Sequence, residues 1–194
     1  MKKSMSESEP TGHLIILSGP RAAGKTTLIQ KVFERLRNES VDIAGILSLP
    51  VEDNGEKVAI NGLDLRSGET RRLAVRNPGL NGDLATRQWL FESQAMQWAD
   101  SILEISTPCD LLVVDELGVL EFERSRGWLA GLEALDDGMY AVAIVVIRPE
   151  LLNQALKRWQ EATVIKLTTG TRASTQNQLW ALVTDLLHLT SNNN

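Results

Sequence analysis

The run Gly19-Pro20-Arg21-Ala22-Ala23-Gly24-Lys25-Thr26 has the residue types and spacing to hold phosphate. It fits G-x-x-x-x-G-K-[ST], the P-loop pattern. It follows an apolar run and opens an amphipathic one, the strand-to-helix context the pattern requires. Glycines permit backbone torsions that side chains block. Successive N–H groups can then point at phosphate oxygens, and the following helix adds its amino end. Lys25 would reach the β- and γ-phosphates, the Thr26 hydroxyl would coordinate Mg²⁺, and Thr27 could bond the α-phosphate.

A second group of acids lies further along. Leu111-Leu112-Val113-Val114-Asp115-Glu116 is an aliphatic run ending in two carboxylates, the form of a Walker B element. A buried strand would carry Asp115 to the carboxyl edge of a parallel sheet, where such sheets bind ligands. Asp115 would hold Mg²⁺ there with Thr26. Glu116 is the more telling residue, because a carboxylate beside the metal ligand can take a proton from water. Arg21, Arg148, Arg124 and Arg126 all lie in or after elements that end at this edge, so each is a candidate to offset transferred-phosphate charge. For every one of them singly, an ordinary solvated or ion-paired arginine remains the bland alternative. The candidate catalytic set is Lys25, Glu116 and Arg148.

These residues need a scaffold. Apolar runs alternate with amphipathic stretches, the rhythm of βαβ units around a mostly parallel sheet. Strands are expected at Leu14–Leu17, Ile43–Leu49 (ended by Pro50), Leu111–Val114, Tyr140–Ile147 and Thr163–Leu167. Helices are expected at about Thr26–Asn38, Gln88–Ser106, Arg126–Leu135, Glu150–Glu161 and Thr175–Leu189. In the first, Leu28, Ile29, Val32, Phe33 and Leu36 form one stripe. The turn signals Asp53-Asn54-Gly55 and Ser67-Gly68-Glu69 mark a small antiparallel hairpin insert at about 51–76. Its arginines Arg66, Arg71, Arg72 and Arg76 make it locally basic and read as a solvated face. The expectation is an α/β, three-layer domain over 13–190, with disordered tails at 1–12 and 191–194.

Composition removes several classes. Lys and Arg number 20 against 25 Asp and Glu, a formal charge of −5, which argues against a nucleic-acid partner. The longest aliphatic run, Ala141–Ile147, is far short of the roughly 20 residues that span a bilayer, so no membrane is expected. The single Cys109 rules out a disulfide framework and reads as a small core residue. His13 and His188 have no metal spacing. Asp136-Asp137-Gly138 reads as a turn, since the further ligands of a calcium loop are missing. Trp89, Trp98, Trp128, Trp159 and Trp180 fall mostly on expected helices and read as packing residues. A cytoplasmic location follows as the default, and nothing points to a protein partner or homo-oligomer.

With Gly19–Thr27, Ala44–Leu73 and Asp110–Glu121 in view, the chain resembles the small P-loop nucleoside-triphosphatases of the thermophilic and human cancer-related type. Gly45, Gly62, Ser67 and Gly68 stand where that family has its glycines and turn. Asp115-Glu116-Leu117-Gly118-Val119-Leu120-Glu121 is similar to its D-E-I-G-K-M-E. The chain departs from it at Val119, where the family has Lys. The family's late Asn-Arg pair stands here as Thr171-Arg172, which implies Arg172 as a nucleotide contact. The resemblance implies a RecA-like P-loop NTPase core and Mg²⁺-dependent hydrolysis of ATP, GTP and other nucleoside triphosphates with loose base choice. Two readings stay open beside it. One is a nucleotide or small-molecule kinase. The other is a nucleotide-dependent switch or partner-binding module, with a guanine-specific form disfavoured because no N-K-x-D occurs.

Overall fold

The computed structural model describes residues 12–188. The tails expected at 1–12 (Gly12 apart) and 191–194 lie outside the described residues. Eight strands form one sheet: β1 His13–Ser18, β2 Ile43–Asp53, β3 Glu56–Asp64, β4 Thr70–Arg76, β5 Trp89–Phe91, β6 Cys109–Leu117, β7 Tyr140–Ile147 and β8 Thr163–Lys166. Their spatial order is β5-β4-β3-β2-β6-β7-β1-β8. The helices are α1 Lys25–Leu36, α2 Ser93–Glu104, α3 Val119–Arg124, α4 Leu129–Asp137, α5 Leu152–Arg158 and α6 Arg172–Leu186.

The central strands are apolar on both faces because both faces are covered. In β6, Leu112 and Val114 enter the core under α2 to α5, while Leu111 and Val113 enter the core under α1 and α6. In β7, Ala143, Val145 and Ile147 face one way and Val142, Ile144 and Val146 the other. This period-2 division makes three layers and requires near-continuous aliphatic runs. β2, β6, β7, β1 and β8 run parallel, and β7 intervenes between the P-loop strand β1 and the Asp115 strand β6. The expected three-layer, mostly parallel RecA-like architecture is therefore present.

Five expectations need correction. Pro50 does not end β2, which continues to Asp53. Its parallel partner β6 pairs only along Ile43–Ile46, so at Pro50 one side of β2 is open and a missing N–H breaks no ladder bond. The antiparallel insert is not a separate hairpin. β3 pairs with β2, β4 with β3 and β5 with β4, each antiparallel, so the main sheet simply continues. Trp89 therefore belongs to a strand, and the helix expected from Gln88 starts at Ser93. The helix expected at Arg126–Leu135 begins only at Leu129, as α4, and an unexpected α3 precedes that span, the two separated by left-handed residues at Ser125 and Gly127. The stretch from Glu150 opens as a 3₁₀ turn, Pro149–Leu151, before α5 begins.

Gly45 of β2 makes a close approach to β6 within the parallel core. Its φ is +105°, and a Cβ there would lie 2.0 Å from the Val113 carbonyl oxygen. Alanine would meet both backbone strain and a clash with a strand that cannot retreat. Gly45→Ala is therefore expected to lower unfolding free energy in urea by about 3 kcal/mol or more. A loss below about 1 kcal/mol would show that β2 and β6 can separate freely.

Candidate functional site

The P-loop joins β1 to α1 at the carboxyl edge of the sheet. Gly24 takes a left-handed conformation (φ +98°) and precedes the first turn of α1. That turn carries no acidic residue and receives no side-chain cap. Its free N–H groups and positive dipole end are thus left for an anion. Thr27 is exposed beside them. Lys25 is buried (7 % exposed) and lies back over the loop, where its ammonium donates to the carbonyls of Gly19 at 2.7 Å and Pro20 at 3.0 Å. Burial lowers its pKa, and the carboxylates of Glu116 and Asp115 oppose that shift.

β6 delivers the acids. Its pairing with β7 shifts between Val114 and Leu117, so Asp115 and Glu116 together face one residue of the neighbour. Such a bulge re-aims side chains at a strand end. The Asp115–Glu116 peptide is cis. Asp115 is 2 % exposed. Its Oδ2 accepts the Thr26 hydroxyl at 2.8 Å and the Ser48 amide at 3.2 Å, and the Ser48 hydroxyl donates to its backbone carbonyl. Burial pushes its carboxyl up to about 7, with Glu116 adding to the rise while Thr26, Ser48 and Lys57 act against it. Glu116 is half-buried and ion-paired with Arg148, which follows β7.

The arginines separate into two groups. Arg148 meets Glu116 directly. Arg21 lies close enough for the charges of Arg148 and Glu116 to act on it, although burial is the main cause of its lowered pKa. Arg172, the first residue of α6, sits against Gly24 and donates to the Ala23 carbonyl through Nε at 3.3 Å and a terminal nitrogen at 3.1 Å. It thus braces the P-loop from behind. Arg124 and Arg126 go elsewhere: Arg124 donates to the Ala85 carbonyl and Arg126 pairs with Asp83. Helix α3 turns them towards the 77–87 loop, where they line or border an open pocket of about 500 Å³.

The insert arginines are used structurally. Arg66 pairs with Asp42 and donates to the Ile105 and Ser106 carbonyls at the end of α2. Arg71 pairs with Glu69, and Arg72 bonds Asn61. Cys109 is held inert, its thiol pushed by burial to about 12.

Two of the next residues, Ser48 and Lys57, carried no clear sequence signal, and a third, Glu121, stood in the family match without an assigned role. Ser48 reaches Asp115 because β2 runs beside β6. Lys57 of β3 lies close enough for its charge to act on Asp115, and burial is the main cause of its own lowered pKa. Glu121 closes the Asp115–Glu121 match noted above. Its buried carboxylate accepts the Gly118 amide at 2.7 Å and the Trp128 amide at 3.0 Å, fixing the turn after the acids.

Residues 14–180 match the NTPase family. Among curated relatives, the nucleoside-triphosphatase THEP1 of Methanopyrus kandleri is 28 % identical over 133 residues, covering 69 % of this chain and 73 % of its own. Its namesake in Pyrobaculum aerophilum is 30 % identical over 107 residues, covering 55 % and 58 %. The Thermofilum pendens protein is 27 % identical over 156 residues, covering 80 % and 85 %. The solution structure of a human cancer-related nucleoside triphosphatase superposes with TM-score 0.69 at 22 % identity, covering 90 % of this chain and 98 % of the other. The crystal structure of THEP1 from Aquifex aeolicus gives 0.63 at 19 %, covering 88 % and 98 %. The structural likeness carries the fold, and the matched span includes both the P-loop and the paired acids. The chain belongs to the NTPase family.

Proposed function

We propose that this sheet edge hydrolyses Mg²⁺-bound nucleoside triphosphates to diphosphate and phosphate, with loose base choice. The observation that carries the reading is Asp115 and Glu116 side by side at the mouth of the P-loop, with Asp115 hydrogen-bonded to Thr26. A site that only bound nucleotide would need the first carboxylate and not the second. Loose base choice fits the lack of an N-K-x-D motif anywhere in the chain.

The donor chemistry suits magnesium. Thr26 and Asp115 present hard oxygens 2.8 Å apart. Among the described residues no group of three or more His, Cys, Asp and Glu could enclose a metal. Mg²⁺ favours such open sites, which it completes with waters and substrate phosphates. When bound, it would neutralise charge on the β- and γ-oxygens.

The chain's own groups then divide the work. The loop amides of 19–24 and the Lys25 ammonium hold the phosphates. Lys25 exchanges the Gly19 and Pro20 carbonyls for phosphate oxygens, which are stronger acceptors. Arg148 gains a second anion in the γ-phosphate, and this loosens its hold on Glu116. Glu116 accepts a proton from the attacking water as its oxygen bonds to the γ-phosphorus. The bond to the β–γ bridging oxygen breaks, and Lys25 and the loop amides take the charge on the departing diphosphate. Arg172 holds the loop in shape through the Ala23 carbonyl.

Glu116→Gln is therefore expected to bind nucleotide like the parent while releasing phosphate roughly 100-fold more slowly or worse. Phosphate release and nucleotide titration on one preparation check this. Parental turnover would remove Glu116 as the base.

Asp115 adds a pH dependence. Its folded value, about 7, lies above the ordinary 3.8. The folded chain therefore holds this proton more tightly than the unfolded chain does. Without metal, Asp115's contribution to stability is greatest below about pH 4 and is lost as pH rises to about 7. Added Mg²⁺ needs the ionised form, so its stabilising effect grows over the same interval. Urea unfolding in EDTA is expected to show a downward slope in the parent that Asp115→Asn lacks. Parallel profiles for the two proteins would contradict it.

A further inference from the structure

Ser48 stands outside the P-loop and the paired acids, and the catalytic steps above do not use it. It lies on β2 two residues past Ile46, where the pairing of β2 with β6 ends at Val114. On the other side of β6, the pairing with β7 shifts after Val114 and resumes only at Leu117. Asp115 and Glu116 therefore leave the regular ladder on both sides of their strand. A backbone carbonyl left there needs a partner from elsewhere.

Ser48 supplies that partner. Its hydroxyl donates to the main-chain carbonyl of Asp115, the oxygen of the peptide that joins the two acids. Its amide donates to Asp115 Oδ2 at 3.2 Å. Thr26 also reaches Asp115, but at the carboxylate. The Ser48 hydroxyl instead holds the backbone from which Glu116 departs. Further on, the Glu121 carboxylate takes the Gly118 amide at 2.7 Å, so Glu116 lies on a short span anchored before and after. Ser48 is itself held from the side away from the acids. It pairs with Gly62 of β3, between the pairs Leu47–Leu63 and Leu49–Asn61, and Gly62 pairs in turn with Arg71 of β4. It is half-buried, where water competes less for its bonds.

We propose that Ser48 is a positioning residue for the hydrolysis: its hydroxyl fixes the peptide between Asp115 and Glu116 and so aims the Glu116 carboxylate at the attacking water. This rests on the reading of Glu116 as the base. A general base must lie within hydrogen-bond reach of the proton it takes, and a misplacement of about 1 Å can cost on the order of 100-fold in rate. The phosphates are held by the loop amides and Lys25 rather than by this peptide, so loss of the hydroxyl lowers kcat and spares nucleotide binding. The antiparallel extension then reaches the chemistry through one serine of β2.

The competing explanation is a serine that only satisfies a strand-end carbonyl. Ser48→Ala removes the hydroxyl and keeps the amide bond to Asp115, while Ser48→Thr keeps the hydroxyl and suits a strand. With Mg²⁺ and ATP, Ser48→Ala is expected to lose roughly 10-fold or more in kcat, and Ser48→Thr to retain most of it. KM for ATP, and ADP affinity by titration calorimetry, are expected to match the parent in both. In the Glu116→Gln background Ser48→Ala is expected to cost little further, because it acts through Glu116. Should Ser48→Ala fail to fold, Ser48→Cys, of similar shape but a weak donor, takes its place with the same expectations. Near-parental kcat in Ser48→Ala would overturn the proposal. So would equal impairment of Ser48→Ala and Ser48→Thr, a rise in KM as large as the fall in kcat, or the same factor lost with and without Glu116. Glu116→Gln alone separates the two claims: if it turns over like the parent, the reading of the base has failed, and if it is slow while Ser48→Ala is normal, only the assignment of Ser48 has.

Discussion

A carboxylate held almost dry at the end of a parallel strand is the constraint around which this molecule is arranged. Asp115 sits at 2 % exposure, against the tendency of a charged group to stay in water. Thr26 from the first helix and Ser48 from β2 each donate to it. Those two bonds tie three elements, distant in sequence, to one oxygen atom. Burial nevertheless leaves the site under electrostatic tension, since it pushes the carboxyl up to about 7 against those two bonds, and a cation is the natural relief. The P-loop cations, the Glu116–Arg148 pair and the left-handed turn at Gly24 all stand within the reach of that charge.

Delivering Asp115 to that place requires the sheet. Strands buried on both faces hold their register firmly, because a one-residue slip would exchange the two cores. Val113 and Val114 therefore fix where the acids emerge, and the bulge after them aims both at the P-loop. The antiparallel strands extend the same hydrogen-bonded surface past the parallel core. Through Gly45 and Ser48, β2 is at once a wall of the core and a support of the site. Glu121 does similar work on the other side, where its buried carboxylate pins Gly118 to Trp128.

What could be read from the sequence was what local chemistry dictates. The P-loop needs its residues in one continuous run, and β7 was visible as Tyr140–Ile147 because its doubly buried part, Val142–Ile147, is a continuous aliphatic run. Arg148 was legible by position, being the residue after a core strand. Other features depend on tertiary pairing and leave no local trace. Trp89-Leu90-Phe91 is a strand only because β4 lies alongside, and its apolar residues fit a helical stripe equally well. Pro50 reads as a terminator until the open side of β2 is known. Arg124 and Arg126 are near Glu116 in sequence, yet α3 carries them off to the 77–87 loop. Ser48 shows the reverse case, distant from the motifs in sequence and brought to Asp115 by the pairing of β2 with β6.

The central claim is that this sheet edge performs metal-dependent hydrolysis. The most direct test is phosphate release from ATP, GTP, CTP and UTP, each with Mg²⁺ or with EDTA, by the parent and by Lys25→Ala. The account predicts release from all four that needs the metal and disappears in the variant. Release that persists in Lys25→Ala, or none from a parent that binds the nucleotide, would contradict it.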